Sequence, residues 1–178
     1  MNRPAPSVLS AARPGAGETI VRLRTFGITV RMRVPGDVGD GSPAVYEMMI
    51  SAGAGLPKLR RPEAEIFHVI TGRFVFEIDG HRVLARKGDL VFVPGGAARA
   101  FVNVTGTGAR QQVTISPGID SAAFFRDLAD ATDAFEAAAL PSGATRLARV
   151  SSLWMVEFLG DPLPVDAAFE FGIEAEAS

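Results

Sequence analysis

The chain of 178 residues contains no cysteine, which excludes disulfides, thiolate metal sites and cysteine nucleophiles. Histidine is nearly as scarce, with only His68 and His81. One Tyr and one Trp stand against 12 Phe, so the expected core is aromatic but poor in hydroxyls. Neither sign of charge dominates: 18 Lys and Arg oppose 20 Asp and Glu. The concentrated basic face that nucleic-acid binding requires is missing, and no nucleic-acid partner is expected. No apolar run approaches the roughly 20 residues of a membrane helix. The first residues carry no apolar stretch followed by a small-residue cleavage site. The reading is a cytoplasmic protein with no membrane partner.

What is present suits one domain with a full core, since 47% of the residues are hydrophobic. From Thr19 to Gly118 the pattern has a period of two. Ile28, Val30, Met32 and Val34 alternate with Thr29, Arg31 and Arg33, as in a strand with one buried face. Further strands are expected over 45–51, 65–71, 73–79, 81–86, 90–94, 99–104 and 110–116, separated by Gly, Pro and Asp. Asp79-Gly80 lies between two alternating runs and signals a two-residue hairpin turn. So many short strands predict an all-β sandwich or barrel. After Pro117 the period becomes helical, with Asp120 as a cap and Phe124, Phe125 and Leu128 on one face, then an Ala-rich stretch through Leu140. A second helix is expected over 144–153. The division is a disordered arm over 1–17, a β-barrel over 18–118, a helical appendage over 119–165 and a loosely held acidic tail over 166–178.

Two spaced patterns lie inside the strand region. Gly53, Glu65 and Gly72 fall on the motif Gly, five residues, His-x-His, three or four residues, Glu, six residues, Gly; Leu59 and Arg61 occupy its His places. Gly88, Pro94, Gly96 and Asn103 fall on a second motif, Gly, five residues, Pro-x-Gly, two residues, His, three residues, Asn; here Arg99 occupies the His place. Together they resemble the two motifs of the cupin superfamily. The flanks extend the resemblance: Glu65 to Gly72 is similar to a strand of bacterial quercetin 2,3-dioxygenase-like cupins, as are Ser116-Pro117-Gly118, Phe124-Phe125-Arg126 and Val156 to Leu163. The resemblance implies a cupin double-stranded β-helix with a short helical C-terminal appendage.

The departures have a chemical meaning. A divalent ion in such a cup takes imidazole nitrogens and a carboxylate. A guanidinium has five donors, no lone pair and a permanent proton. With Arg61 and Arg99 in place of two ligands, no metal and no other cofactor are expected. In the alternative register of the first motif, Lys58 and Arg60 stand at the His places. Strand parity puts Glu65, Phe67 and Val69 on one face, and the resemblance directs that face into the barrel together with Arg61 and Arg99. Two uses of this cluster follow. Either an Arg pairs with Glu65 as a plug, or one Arg is left over to grip an anion.

The resemblance and the residues together lead to a metal-independent enzyme for a small, mainly hydrophobic metabolite with an anionic or enolisable group. It would work by isomerisation, cyclisation or dehydration, with Arg61 and Arg99 stabilising an oxyanion and Glu65 moving a proton. Lys58, Arg60, Phe67, Phe76, Phe92, Phe101 and Gln112 are the expected binding residues, with Phe74 as a further candidate wall; one of Gln111 and Gln112 faces the cavity, or both sit at an exposed edge. A metal-dependent dioxygenase and a non-catalytic binding protein are the alternatives. Parity turns His68 away from the cup, and His81 follows the turn. Tyr46 shares a face with Met48 and Ile50, where core packing is the default and acid catalysis the alternative. Outward Ile66 and Ile70, with the resemblance, imply a homodimer.

Overall fold

The computed structural model describes residues 19–36, 41–137 and 141–173. The arm over 1–17, the end of the Ala-rich stretch at 138–140 and the last five residues of the acidic tail lie outside them. Ten strands precede the helices: β1 (Ile20–Leu23), β2 (Ile28–Val34), β3 (Ala44–Ile50), β4 (Lys58–Arg60), β5 (Ala64–Thr71), β6 (Arg73–Ile78), β7 (His81–Arg86), β8 (Leu90–Val93), β9 (Arg99–Asn103) and β10 (Ala109–Ser116). Helices α1 (Ser121–Ala137) and α2 (Pro141–Trp154) follow, then β11 (Glu157–Gly160). The strands form two antiparallel sheets, ordered β1-β2-β3-β10-β5-β8 and β11-β4-β9-β6-β7.

Alternation decides which side chains lie between the sheets. Val30, Met48, Val69 and Val113 point inward and are buried, while their strand neighbours face out. Phe67, Phe74, Phe76 and Phe101 meet edge-on or tilted at 5.2–6.2 Å between ring centroids. That geometry adds to their burial energy. The hairpin turn forms as its sequence dictates, with positive φ at both Asp79 (47°) and Gly80 (82°). Gly72, between β5 and β6, also has positive φ (87°), and a Cβ there would sit 2.4 Å from the Ala109 Cβ. Only glycine fits.

Asn103 shows what the second motif does structurally. Its buried side-chain amide donates to the carbonyls of Ile50 (3.2 Å), Ser51 (2.9 Å) and Thr107 (2.9 Å), while its Oδ1 accepts from the Thr105 amide (2.9 Å). One side chain thereby satisfies loop groups that no ladder reaches.

Two parts of the C-terminal region differ from expectation. The appendage is not wholly helical, because β11 returns as an edge strand on β4. Nor is the beginning of the acidic tail loose: Val165–Phe171 form a 3-10 turn that lies over the outer face of the second sheet, with Ala167 and Ala168 packed on Val75, Ala100 and Val102. Arg82 holds this segment by an ion pair to Glu170. The small alanines pack closely, and Leu163, Val165, Phe171 and Ile173 of the same segment pack beside them. No described helix is long and apolar enough to cross a membrane.

Candidate functional site

Arg61 and Glu65 are four positions apart, yet the chain crosses from one sheet to the other between them: β4 belongs to the five-stranded sheet and β5 to the six-stranded one. Pro62 lies in this crossing. Leu59 of β4 stands opposite Arg99 of β9 in register, so the three positions where the first and second motifs carry His converge at one end of the barrel. Glu65 reaches them from across the cup.

The result is a buried, charge-balanced cluster. Arg61 is 3% exposed and Glu65 2%. Arg61 Nε donates to Glu63 Oε2 at 3.0 Å and Arg61 Nη1 to Glu65 Oε1 at 3.3 Å. Arg99 Nη2 forms an ion pair with Glu65 Oε2, and its Nη1 donates to the Leu59 carbonyl at 3.4 Å. The Tyr46 hydroxyl donates to Glu65 Oε1 at 3.4 Å. Two guanidinium groups therefore face two carboxylates. Of the two uses open to this cluster, pairing on Glu65 is the one the geometry shows, and it engages both Arg61 and Arg99. Glu63, which carries no motif position, is the second carboxylate.

Burial shapes the protonation of this cluster. It is the largest influence on Tyr46, reinforced by the nearby Glu65 charge, and together they raise the phenol far above its ordinary range. Tyr46 is thus a protonated donor. Burial also works against the charge on Arg61, but the carboxylates of Glu65 and Glu63 outweigh it and the net shift is upward. For Arg99 burial prevails over the attraction of Glu65, and repulsion from Arg61 adds to it, so the net shift is downward. Arg99 is the cation held at greater cost.

The other expected site residues separate cleanly. Phe67 and Phe101 line the cup, and Phe76 is buried behind them in the aromatic cluster. Lys58 and Arg60 face outward: Lys58 Nζ is 2.8 Å from Glu77 Oε1, and Arg60 Nη1 is 3.1 Å from Glu157 Oε2. This settles the register in favour of Leu59 and Arg61 as the inward pair. Phe92 is 61% exposed on the outer face of β8, since its inward neighbours Val91 and Val93 have the opposite parity. Gln112 is likewise exposed, whereas Gln111 is fully buried, with its amide 3.7 Å from Met48 Sδ. Gln111 and not Gln112 is the inward glutamine.

The cup is also closed. Phe124 and Phe125 of α1 enter it and are buried. The Arg61 guanidinium carbon lies 4.8 Å from the Phe124 ring centroid, a cation–π contact. Phe125 meets Tyr46 edge-on at 5.1 Å. Helix α1 is set in place by Asp120, whose Oδ1 accepts from the Ala123 amide at 3.0 Å. What remains between Tyr46, Arg61, Glu65, Arg99 and the rings is about 20 Å³, room for about one water molecule. The expected mainly apolar cavity is therefore filled by the protein's own side chains.

A jelly-roll barrel of two antiparallel sheets carrying these two glycine-bounded motifs defines the cupin class. Residues 46–115 match the Cupin domain family, and the barrel has the cupin fold. The structure is similar to an RmlC-like cupin from Shewanella frigidimarina, with a TM-score of 0.53 and 19% identity over 64% of this chain and 96% of that one. It is also similar to Streptomyces PAC13, with a TM-score of 0.48 and 20% identity over 58% and 78% of the two chains. A protein from Photorhabdus luminescens, plu4264, matches with a TM-score of 0.46 and 13% identity over 74% and 90%. Among curated proteins, none matches this chain in sequence.

Cupins commonly hold a divalent metal, and the donor set here does not fit one. Of the four motif positions only Glu65 offers a lone pair, and both its oxygens already face guanidinium groups. Both carboxylates of the cluster are already paired with the two guanidinium groups, so no negative charge is left to offset a divalent ion. Among the described residues, no group of three or more His, Cys, Asp or Glu could hold a metal.

Proposed function

We propose that the cup binds a small, mainly apolar molecule bearing an anionic or enolisable oxygen and transforms it without a metal, by isomerisation, cyclisation or dehydration. The observation that carries this reading is Arg61 Nη2, a buried donor with no hydrogen-bond partner in the protein, beside the Glu65 carboxylate and the protonated Tyr46 phenol. A ligand oxygen seated on Arg61 Nη2 would be stabilised as negative charge develops on it. Glu65 would take the proton from the carbon next to that carbonyl. Returning the proton to another carbon completes an isomerisation; loss of a β-hydroxyl as water completes a dehydration. Neither outcome changes the oxidation level of the whole. Tyr46 would hold the carboxylate in place while it is charged and release it when protonated.

The test incubates the pure protein with a small-molecule extract and follows it by mass spectrometry. The wild type should consume one compound and yield a product of the same mass or lighter by water. Arg61→Met and Glu65→Gln should not. A product heavier by one or two oxygen atoms, or no consumption by the wild type, refutes the proposal.

The charge-balanced cluster and the filled cup favour one second reading, a binding protein without turnover. The same extract would then contain a compound retained by the wild type but recovered unchanged.

We further propose a homodimer through the outer face of the six-stranded sheet. Leu90 (67% exposed), Phe92 and Ile66 (42%) lie side by side on β8 and β5, an apolar patch on an edge strand. Sedimentation should give twice the chain mass for the wild type and a smaller species for Phe92→Asp.

A further inference from the structure

Helix α1 places an aromatic ring where a ligand of the cup would bind. The Phe124 ring covers Arg61 at 4.8 Å, and it forms T-shaped pairs with Phe125 at 5.0 Å and Trp154 at 5.8 Å. Phe125 in turn lies against Tyr46. A flat ring satisfies both the cation and the neighbouring rings, because its negative face suits Arg61 and its quadrupole suits T-shaped pairs with Phe125 and Trp154. A saturated chain of the same volume satisfies only the hydrophobic part. With about 20 Å³ left, no metabolite-sized molecule enters while Phe124 is docked. The Arg61 Nη2 donor remains unused by the protein even then.

We infer that Phe124 is an internal occupant of an aromatic-acid subsite. The ligand's ring takes the space that Phe124 vacates, and its carboxylate accepts from Arg61 Nη2. Helix α1 must undock for binding, so the apparent affinity is reduced by the fraction of molecules whose cup is open. The inference rests on the proposal that the cup is a ligand site, and it adds the ligand's chemical class and the residue that competes with it.

The chain carries its own reporter. Trp154 is its single tryptophan; it packs edge-on against Phe124, and its indole nitrogen donates to Asp127 of α1 at 2.9 Å. Displacing Phe124 must alter its surroundings. The experiment titrates the wild type with sodium benzoate and, separately, sodium hexanoate, reading Trp154 emission and the heat of binding in parallel. Benzoate should move the emission to longer wavelength along a saturable curve that coincides with the calorimetric one. Hexanoate should need at least about tenfold more. Phe124→Ala, and Phe124→Leu as a variant that keeps the helix packed, should bind benzoate at least about tenfold more tightly than the wild type by calorimetry. Arg61→Met should abolish binding. Equal or tighter binding of hexanoate, or benzoate binding with Trp154 emission unmoved, overturns the inference while leaving the cup a ligand site. Failure of the wild type and both Phe124 variants to bind benzoate overturns it as well. The metabolite-consumption experiment separately decides whether the cup acts on any ligand.

Discussion

Replacing Glu65 by glutamine removes one negative charge from a cluster that is balanced as it stands. Arg61 keeps a carboxylate partner, because its Nε bond to Glu63 is untouched. Arg99 does not: its remaining contact is the Leu59 carbonyl at 3.4 Å, and burial already opposes its charge. Leaving one buried cation without a counter-charge costs about 3–5 kcal/mol. With a urea dependence of roughly 2 kcal/mol per molar for a domain of this size, the unfolding midpoint should fall by about 2 M. The second half of the experiment distinguishes charge imbalance from a lost contact. Adding Arg99→Met in the Glu65→Gln background removes the stranded cation and restores balance. The double variant should therefore be more stable than Glu65→Gln alone, by about 1–3 kcal/mol. Urea unfolding followed by circular dichroism measures all three proteins. If Glu65→Gln costs under about 1 kcal/mol, or if Arg99→Met destabilises it further, the cluster does not work as a balanced set of buried charges.

Tyr46 is the single tyrosine, so phenolate absorbance at 295 nm reports on it alone. Its folded value lies above the ordinary 10.0 because of burial and Glu65, so the native chain keeps a proton that the unfolded chain releases, and stability falls as pH rises above about 10. After a jump to pH 11 the absorbance should rise only at the rate of unfolding; an immediate rise with an unchanged circular dichroism spectrum would contradict this. At the acid end, Glu77 is held below its ordinary 4.5, first by the Lys58 hydrogen bond against the effect of burial, then by Arg82. Its contribution is complete above about pH 4.5 and is lost as pH falls through the lower folded value. Glu77→Gln should flatten the acid limb of a stability–pH curve, and an unchanged slope between pH 5 and 3 would refute the assignment.

The long strands were legible because each has one buried face: Val30 and Met32 or Phe67 and Val69 betray it by alternation. β1, β4 and β11 were not, being three or four residues long; Lys58-Leu59-Arg60 offers one apolar residue, too few for a period. Phe92 was misplaced because Leu90 to Val93 is apolar throughout, and polarity cannot then say which side faces in. Between Gln111 and Gln112 the choice was decidable, since Gln111 shares parity with Val113 and Ile115. The convergence of Arg61, Arg99 and Glu65 followed from motif spacing, which fixes register. Glu63 shares parity with both Arg61 and Glu65, but its role depends on how the chain crosses between sheets at Pro62, and no local pattern encodes that. The plug was hidden for a similar reason. Phe124-Phe125 mark a helix face to be buried, and only the tertiary arrangement shows that the surface awaiting them is the cup itself.

Arg61 and Arg99 stand where the motifs carry metal-ligating imidazoles, and both sit paired on Glu65. Elemental analysis of the purified chain, after exposure to manganese, iron, nickel and copper salts and removal of loosely held ions, tests it most directly. Well under about one tenth of an equivalent of any of these metals per chain is expected. Close to one equivalent, lost on Glu65→Gln, would contradict it.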